Sequence, residues 1–213
     1  VGNTLVEDPR VGGISFTGST EVGTSITARA SELLKKVQCE MGGKNAAIIL
    51  NDADLEKAVP GVVGGAFGST GQRCTATSRA IVEDGIYDEF MKTLIAQTTA
   101  LTIGDGMDET KDVAPLSSKN QLDTVLEYIG IGTEEGAKLT FGGHHLQDGE
   151  FAEGYYVEPT IFEDVKTDMR IAQEEIFGPV LSVFRASDLQ DAIRINNAVE
   201  FGLSSSVYTR DLV

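Results

Sequence analysis

Short apolar runs alternate with longer amphipathic stretches along most of this chain, and that alternation sets the expectation for its fold. Residues 11–16 read as a short strand ending at Thr17-Gly18-Ser19, where a helix running to about Ala30 can begin on a Ser or Thr cap. Residues 36–40 read as a second short strand leading into Gly42-Gly43, and residues 46–50 as a buried strand. Asn51, Asp52 and Asp54 supply turn and capping chemistry for a helix from Leu55, which Pro60 is expected to interrupt. The glycines between Gly64 and Gly71 are expected to loosen the chain. Residues 78–83 then read as a strand, and 87–101 as a helix with Phe90, Leu94 and Leu101 on one face. Leu122, Val125, Leu126 and Ile129 recur at helical spacing and predict a helix over 117–129. Residues 180–184 predict a strand, 189–198 a helix and 205–209 a strand, while the polar, glycine-rich segment 142–154 reads as a surface excursion. Strands alternating with helices of about 10–15 residues predict the α/β class, a mostly parallel sheet flanked by helices.

Composition narrows the possibilities. The 213 residues suffice for one large domain or two small ones, and 41% hydrophobic residues suffice for a packed core. No apolar run reaches the roughly 20 residues that crossing a bilayer takes. With 33 acidic against 17 basic residues the net charge is −16, which argues against a nucleic-acid partner, whose phosphates call for Lys and Arg. The acidity reads as a well-solvated surface. Cys39 and Cys74 have neither a metal-ligand spacing nor the density of a disulfide framework, so a reducing, cytoplasmic setting is expected. Val1-Gly2-Asn3-Thr4 has neither the basic region nor the apolar core of a signal peptide.

Candidate chemistry lies in four places. The turn at Gly18-Ser19-Thr20-Glu21-Val22-Gly23 follows a strand and opens a helix, so its free backbone N–H groups and the helix dipole favour an anion such as a pyrophosphate. Gly18 permits close approach and Ser19 carries a hydroxyl donor, although the spacing departs from the G-x-G-x-x-G fingerprint. Cys74, in Gly71-Gln72-Arg73-Cys74-Thr75, sits in a polar, glycine-rich setting expected to be an exposed, mobile loop; a thiolate there can add to a carbonyl. Cys39, in the apolar Val37-Gln38-Cys39 strand, reads as a small buried hydrophobe. Glu40, beside Met41 and Gly42-Gly43, is a candidate general base, and partial burial at that strand end is expected to raise its pKa. The fourth place is Glu174-Glu175-Ile176-Phe177-Gly178-Pro179. His144 and His145 are adjacent and lie among glycines and polar residues, which indicates a surface loop. Asp105, Asp108, Glu109 and Asp112 lack the register of a calcium loop and read as a solvated turn, so no metal site is expected.

Taken in order, Phe16-Thr17-Gly18-Ser19-Thr20-Glu21-Val22-Gly23, Glu40-Met41-Gly42-Gly43-Lys44, Gly71-Gln72-Arg73-Cys74-Thr75 and Glu174–Pro179 resemble the NAD(P)-dependent aldehyde dehydrogenase family through nearly the whole chain. Met41, and Cys39 just before the glutamate, stand where leucine is more usual; both are apolar replacements. The resemblance implies a Rossmann-related α/β fold, with residues 1–38 closing the cofactor domain and 39–213 forming most of the catalytic domain. It implies Cys74 as nucleophile, Glu40 as base, and NAD or NADP as cofactor. Gly18, Ser19, Gly23, Met41 and Gly42 would then lie on the cofactor side, Gln121 toward the adenosine, Glu175 on the nicotinamide ribose and Phe177 against the nicotinamide. Arg73-Cys74-Thr75-Ala76-Thr77-Ser78 looks most like members acting on small carboxylate-bearing semialdehydes such as α-ketoglutarate semialdehyde; Arg73 would pair with that carboxylate or brace the loop.

Members of that family are more than twice this length and form dimers or tetramers, so the chain resembles an internal piece of a homo-oligomeric protein. The family's oxyanion-donor Asn and adenine-ribose Lys lie upstream of the matched region, and the tail that completes the oligomer lies downstream. Two other classes stay open: a thiol hydrolase or acyl-transferase built on Cys74, and a folded module that is catalytically silent by itself.

Overall fold

The structure, a computed structural model, describes residues 2–211, which divide into two compact units on either side of the Gly42–Gly43 bond. That division falls after Gly42 and leaves the second strand whole.

The first unit is a small strand–helix–strand piece preceded by a helix. Helix α1 (Gly2–Glu7) precedes β1 (Gly13–Thr17), α2 (Thr20–Glu32) and β2 (Lys36–Glu40), and β1 and β2 pair in parallel with Thr17 opposite Glu40. Ser19 caps α2, its hydroxyl oxygen accepting from Val22 N–H at 3.3 Å. Arg29 binds both carboxylate oxygens of Glu7, at 2.5 and 2.6 Å, tying α2 to α1. Gly23 is needed for packing, because a Cβ there would lie 2.5 Å from the Met41 sulfur.

The second unit is a six-stranded sheet covered on both faces. Its strands are β3 (Asn45–Ile49), β4 (Thr77–Glu83), β5 (Lys138–Phe141), β8 (Thr160–Glu163), β9 (Val180–Ala186) and β10 (Ser205–Tyr208), in the order β10-β3-β4-β9-β8-β5. All neighbours are parallel except β5 with β8; β6 (His145–Leu146) and β7 (Tyr156–Val157) form a separate antiparallel pair.

Alternation along the central strands explains the two layers. On β3, Ala46 and Ile48 join α5 (Lys119–Glu134), α6 (Arg170–Gln173) and α7 (Leu189–Asn196) on one face. Ala47 and Ile49 join α3 (Leu55–Phe67) and α4 (Tyr87–Thr99) on the other. All five residues of β3 are buried, as a strand covered on both sides requires.

Two expectations change here. Pro60 does not interrupt α3, which runs through it near its start; the carbonyl it leaves without a helical partner is that of Glu56, and both residues are exposed. Gly64 and Gly65 are helical as well, and Gly65 is where Thr77 of β4 packs closest to the helix. The chain departs from helix only at Ser69 and Thr70, which take left-handed φ values of 53° and 58°. Helix α5 runs five residues past the predicted end at Ile129.

Candidate active site

In the first unit, the anion-favouring turn and the end of β2 are joined. Gly18 N–H donates to the Glu40 carbonyl at 3.1 Å, and both Gly18 and Ser19 are exposed. Ser19 uses its oxygen as an acceptor in the cap, which leaves its hydroxyl proton available to a ligand. Glu40 is exposed rather than partly buried. Both strands here alternate between exposed and half-buried positions, and Glu40 falls at an exposed one. Cys39 is half-buried, 3.4 Å from the Thr27 hydroxyl and 3.8 Å from the Gly23 carbonyl.

The second unit gathers Cys74, Glu175, Phe177 and Gln121. Cys74 lies exposed in a turn closed by Ala76 N–H donating to Arg73 O at 3.0 Å. The turn is pinned rather than loose, and the pin is a residue that motif reading passed over. Asn45, buried at the start of β3, donates its amide nitrogen to the carbonyls of Cys74 (2.7 Å) and Ala76 (3.0 Å). Its amide oxygen accepts from the N–H and hydroxyl of Ser204, at 3.0 and 2.9 Å. A lone Asn carries no motif, so only its setting in the fold reveals this role. Asn45→Ala is expected to destabilise the chain by about 2–4 kcal/mol, since it strips partners from both carbonyls and from Ser204. Denaturant unfolding measures this; a loss below about 0.5 kcal/mol would show that water replaces the amide.

Arg73 braces the same turn, its guanidinium donating to the Gly64 carbonyl at 3.2 Å. Gly71, at φ +67°, has no room for a side chain because the Gly178 carbonyl lies against it. The Cys74 segment and the 174–179 segment therefore meet backbone to backbone. They line a shallow cleft with Gly43, Arg73, Glu175 and Phe177 on its walls.

Glu175 is half-buried and accepts from Gly43 N–H through Oε1 at 3.1 Å, leaving Oε2 without a hydrogen bond among the described residues. Burial raises its pKa, with the Gly43 bond and the Lys44 charge pulling the other way. Phe177 is exposed and holds a left-handed φ of 56°, unusual for an aromatic residue. Gln121 stabilises that turn by donating to the carbonyls of Ile176 (2.8 Å) and Phe177 (3.0 Å). Its amide nitrogen is thus engaged with the protein.

Elsewhere, His144 is exposed and pairs through Nδ1 with Glu158 at 2.6 Å. Asp105, Asp108 and Asp112 cap local turns through Met107, Thr110 and Thr102. Among the described residues no three acidic, His or Cys side chains gather as a metal would need, and no helix is long and apolar enough to cross a membrane.

Residues 1–213 match the aldehyde dehydrogenase family over their whole length. The chain belongs to the aldehyde dehydrogenase family. Among curated family members it is 49% identical over 212 residues to the alpha-ketoglutaric semialdehyde dehydrogenase of Bacillus subtilis, covering 100% of this chain and 43% of that protein. It is 47% identical over 211 residues to a betaine aldehyde dehydrogenase of Rhizobium etli, covering 99% of this chain and 43% of that protein. Among solved structures, betaine aldehyde dehydrogenase from Staphylococcus aureus in complex with NAD+ superposes with a TM-score of 0.97 at 34% identity, covering 100% of this chain and 42% of that one. The chain therefore spans less than half the length of the aldehyde dehydrogenases it matches.

Proposed function

We propose that the protein containing this chain oxidises an aldehyde to a carboxylic acid with NAD or NADP, with Cys74 as nucleophile and Glu40 as general base. The observation that carries the reading is an exposed thiol on a pinned turn whose flanking residues Arg73 and Ala76 line one cleft with Glu175. Each unit, taken by itself, offers groups of the kind a nicotinamide dinucleotide calls for. The N-terminus of α2 offers free N–H groups and the Ser19 hydroxyl to a pyrophosphate; Oε2 of Glu175 can accept from a ribose diol; Phe177 offers an exposed ring face. The bound cofactor supplies the hydride acceptor.

The chain's own residues supply the rest. The Cys74 thiolate adds to the aldehyde carbon, giving a thiohemiacetal whose oxyanion the backbone N–H of Cys74 would favour. Loss of hydride from that carbon leaves a thioester on Cys74. Glu40 takes a proton from water, the water oxygen attacks the thioester carbon, and the acid departs with the thiol restored. Residues 1–42 are thus read as part of a cofactor domain and 43–213 as catalytic. Support for a carboxylate-bearing semialdehyde comes from the B. subtilis relative and from the exposed Arg73 beside Cys74, whose contact with Gly64 leaves other N–H groups available.

The test is NAD(P)H formation at 340 nm across an aldehyde panel, using this chain beside a longer form of the protein. The longer form should turn over α-ketoglutarate semialdehyde with either cofactor, and the 213-residue chain should show little turnover. Thioester hydrolysis without any nicotinamide dependence would replace the reading with a thiol hydrolase.

A pH effect follows from Glu175. Only its ionised form accepts both ribose hydroxyls, and its pKa is raised by burial. NAD affinity should therefore fall, as pH is lowered, at a higher pH than an ordinary glutamate would give. Titration calorimetry checks this; an identical pH profile for Glu175→Gln would remove Glu175 from the cofactor site.

A further inference from the structure

On the α7 side of β3 and β4, two buried cations adjoin a polar cavity, and neither is neutralised by a carboxylate. Lys44 is 1% exposed and its Nζ has no hydrogen-bond partner among the described residues. Arg79 is 3% exposed and donates only to main-chain carbonyls: Lys44 (2.9 Å), Ile195 (3.1 Å) and Asn196 (3.0 Å). Both line a cavity of about 250 Å³ whose other walls include Asn196, Asn197, Ser204 and Ser205, with no acidic side chain among them. In a chain of net charge −16 this is an unusual concentration of positive charge.

The nearest carboxylates are already committed. Glu174 binds Arg170 and Tyr128, and Glu175 binds Gly43; both act on Lys44 only through space. Burial, with the Arg79 charge beside it, pushes the Lys44 amine down to about 7. Such an amine gains a proton at little cost once an anion arrives. The lining amides and hydroxyls supply further donors of the kind a planar oxyanion takes.

We propose that this cavity is a carboxylate-binding site in which Lys44 pairs with the bound carboxylate and Arg79 adds its field. The cavity is not the Cys74 cleft, although Asn45, which pins the Cys74 turn, stands on its wall; its test needs neither aldehyde nor dinucleotide, so it stands or falls apart from the proposed oxidation.

Acetate is the probe, titrated calorimetrically at pH 8 in two buffers of different ionisation enthalpy. Saturable binding should take up nearly one proton per acetate, falling toward zero at pH 6, where the amine is already charged. Lys44→Met should weaken acetate binding about 10- to 100-fold, the range a charged hydrogen bond implies, and abolish the proton uptake. Asn197→Asp, close in shape and keeping an oxygen for the Asn196 amide, places a carboxylate in the cavity wall. It should reduce acetate binding and slow acetylation of Lys44 by acetic anhydride at pH 8, read by mass spectrometry.

Absence of saturable binding up to about 100 mM acetate overturns the proposal. So does equal binding by Lys44→Met, or, should that variant not fold, equal binding by Asn197→Asp. A form of the protein longer than this chain separates two sources of the carboxylate. Acetate uptake retained there marks a free small molecule; uptake lost, with Lys44 slow to acetylate, marks an Asp or Glu side chain of the longer polypeptide.

Discussion

Cys74→Ala, made in a form of the protein that turns over, should lower NAD(P)H formation by roughly 10⁴-fold or more, the scale seen when a covalent nucleophile is removed. The loss should be chemical and not structural. Cys74 is exposed, and its turn is held through main-chain carbonyls by Asn45, so the thiol itself supports nothing. Stability should stay within about 0.5 kcal/mol of the unsubstituted protein, as for other surface changes. Mild alkylation followed by peptide mapping should label Cys74 before Cys39, whose sulfur is half-buried against Thr27 and the Gly23 carbonyl. Activity that survives Cys74→Ala, or inactivation that tracks Cys39 labelling, would move the nucleophile elsewhere.

For Glu40→Gln the expected signature is a burst of reduced cofactor followed by a steady state slower by about 10²–10⁴, the usual contribution of a general base. The thiol adds to the aldehyde without a glutamate, whereas the thioester waits for activated water. The structure suits a mobile base, since the Glu40 side chain is exposed and makes no hydrogen bond or ion pair among the described residues. Rapid mixing separates the phases. Equal loss of burst and steady state would mean that Glu40 also activates Cys74 or maintains the fold.

What could be read from the chain alone divides along physical lines. Strands β3, β4 and β9 are apolar runs with clear ends, and periodicity found all three. Strands β5 and β8 were missed. Thr160–Glu163 and Lys138–Phe141 are four residues each, too short for a period to register. Pro60 misled because its cost depends on which way the freed carbonyl faces, and that is a property of the folded helix. Glu40 misled for a related reason: its exposure is set by strand alternation in a two-stranded sheet, not by its neighbours in sequence. The segments around Cys74, Glu40 and Glu175 are legible in the sequence as motifs. Asn45 was not, because its partners lie 29, 31 and 159 positions away.

That last separation bears on the order in which the molecule is made. The Cys74 turn is local, yet its pin is itself held by Ser204, so the amide stays unanchored on one side until β10 docks beside β3. Contacts across so long a stretch of chain form late in folding. On a ribosome, thiol reactivity at position 74 should reach its native value only after residue 205 and its strand have emerged. The Cys74 thiol would thus act as a clock for the completion of its own unit.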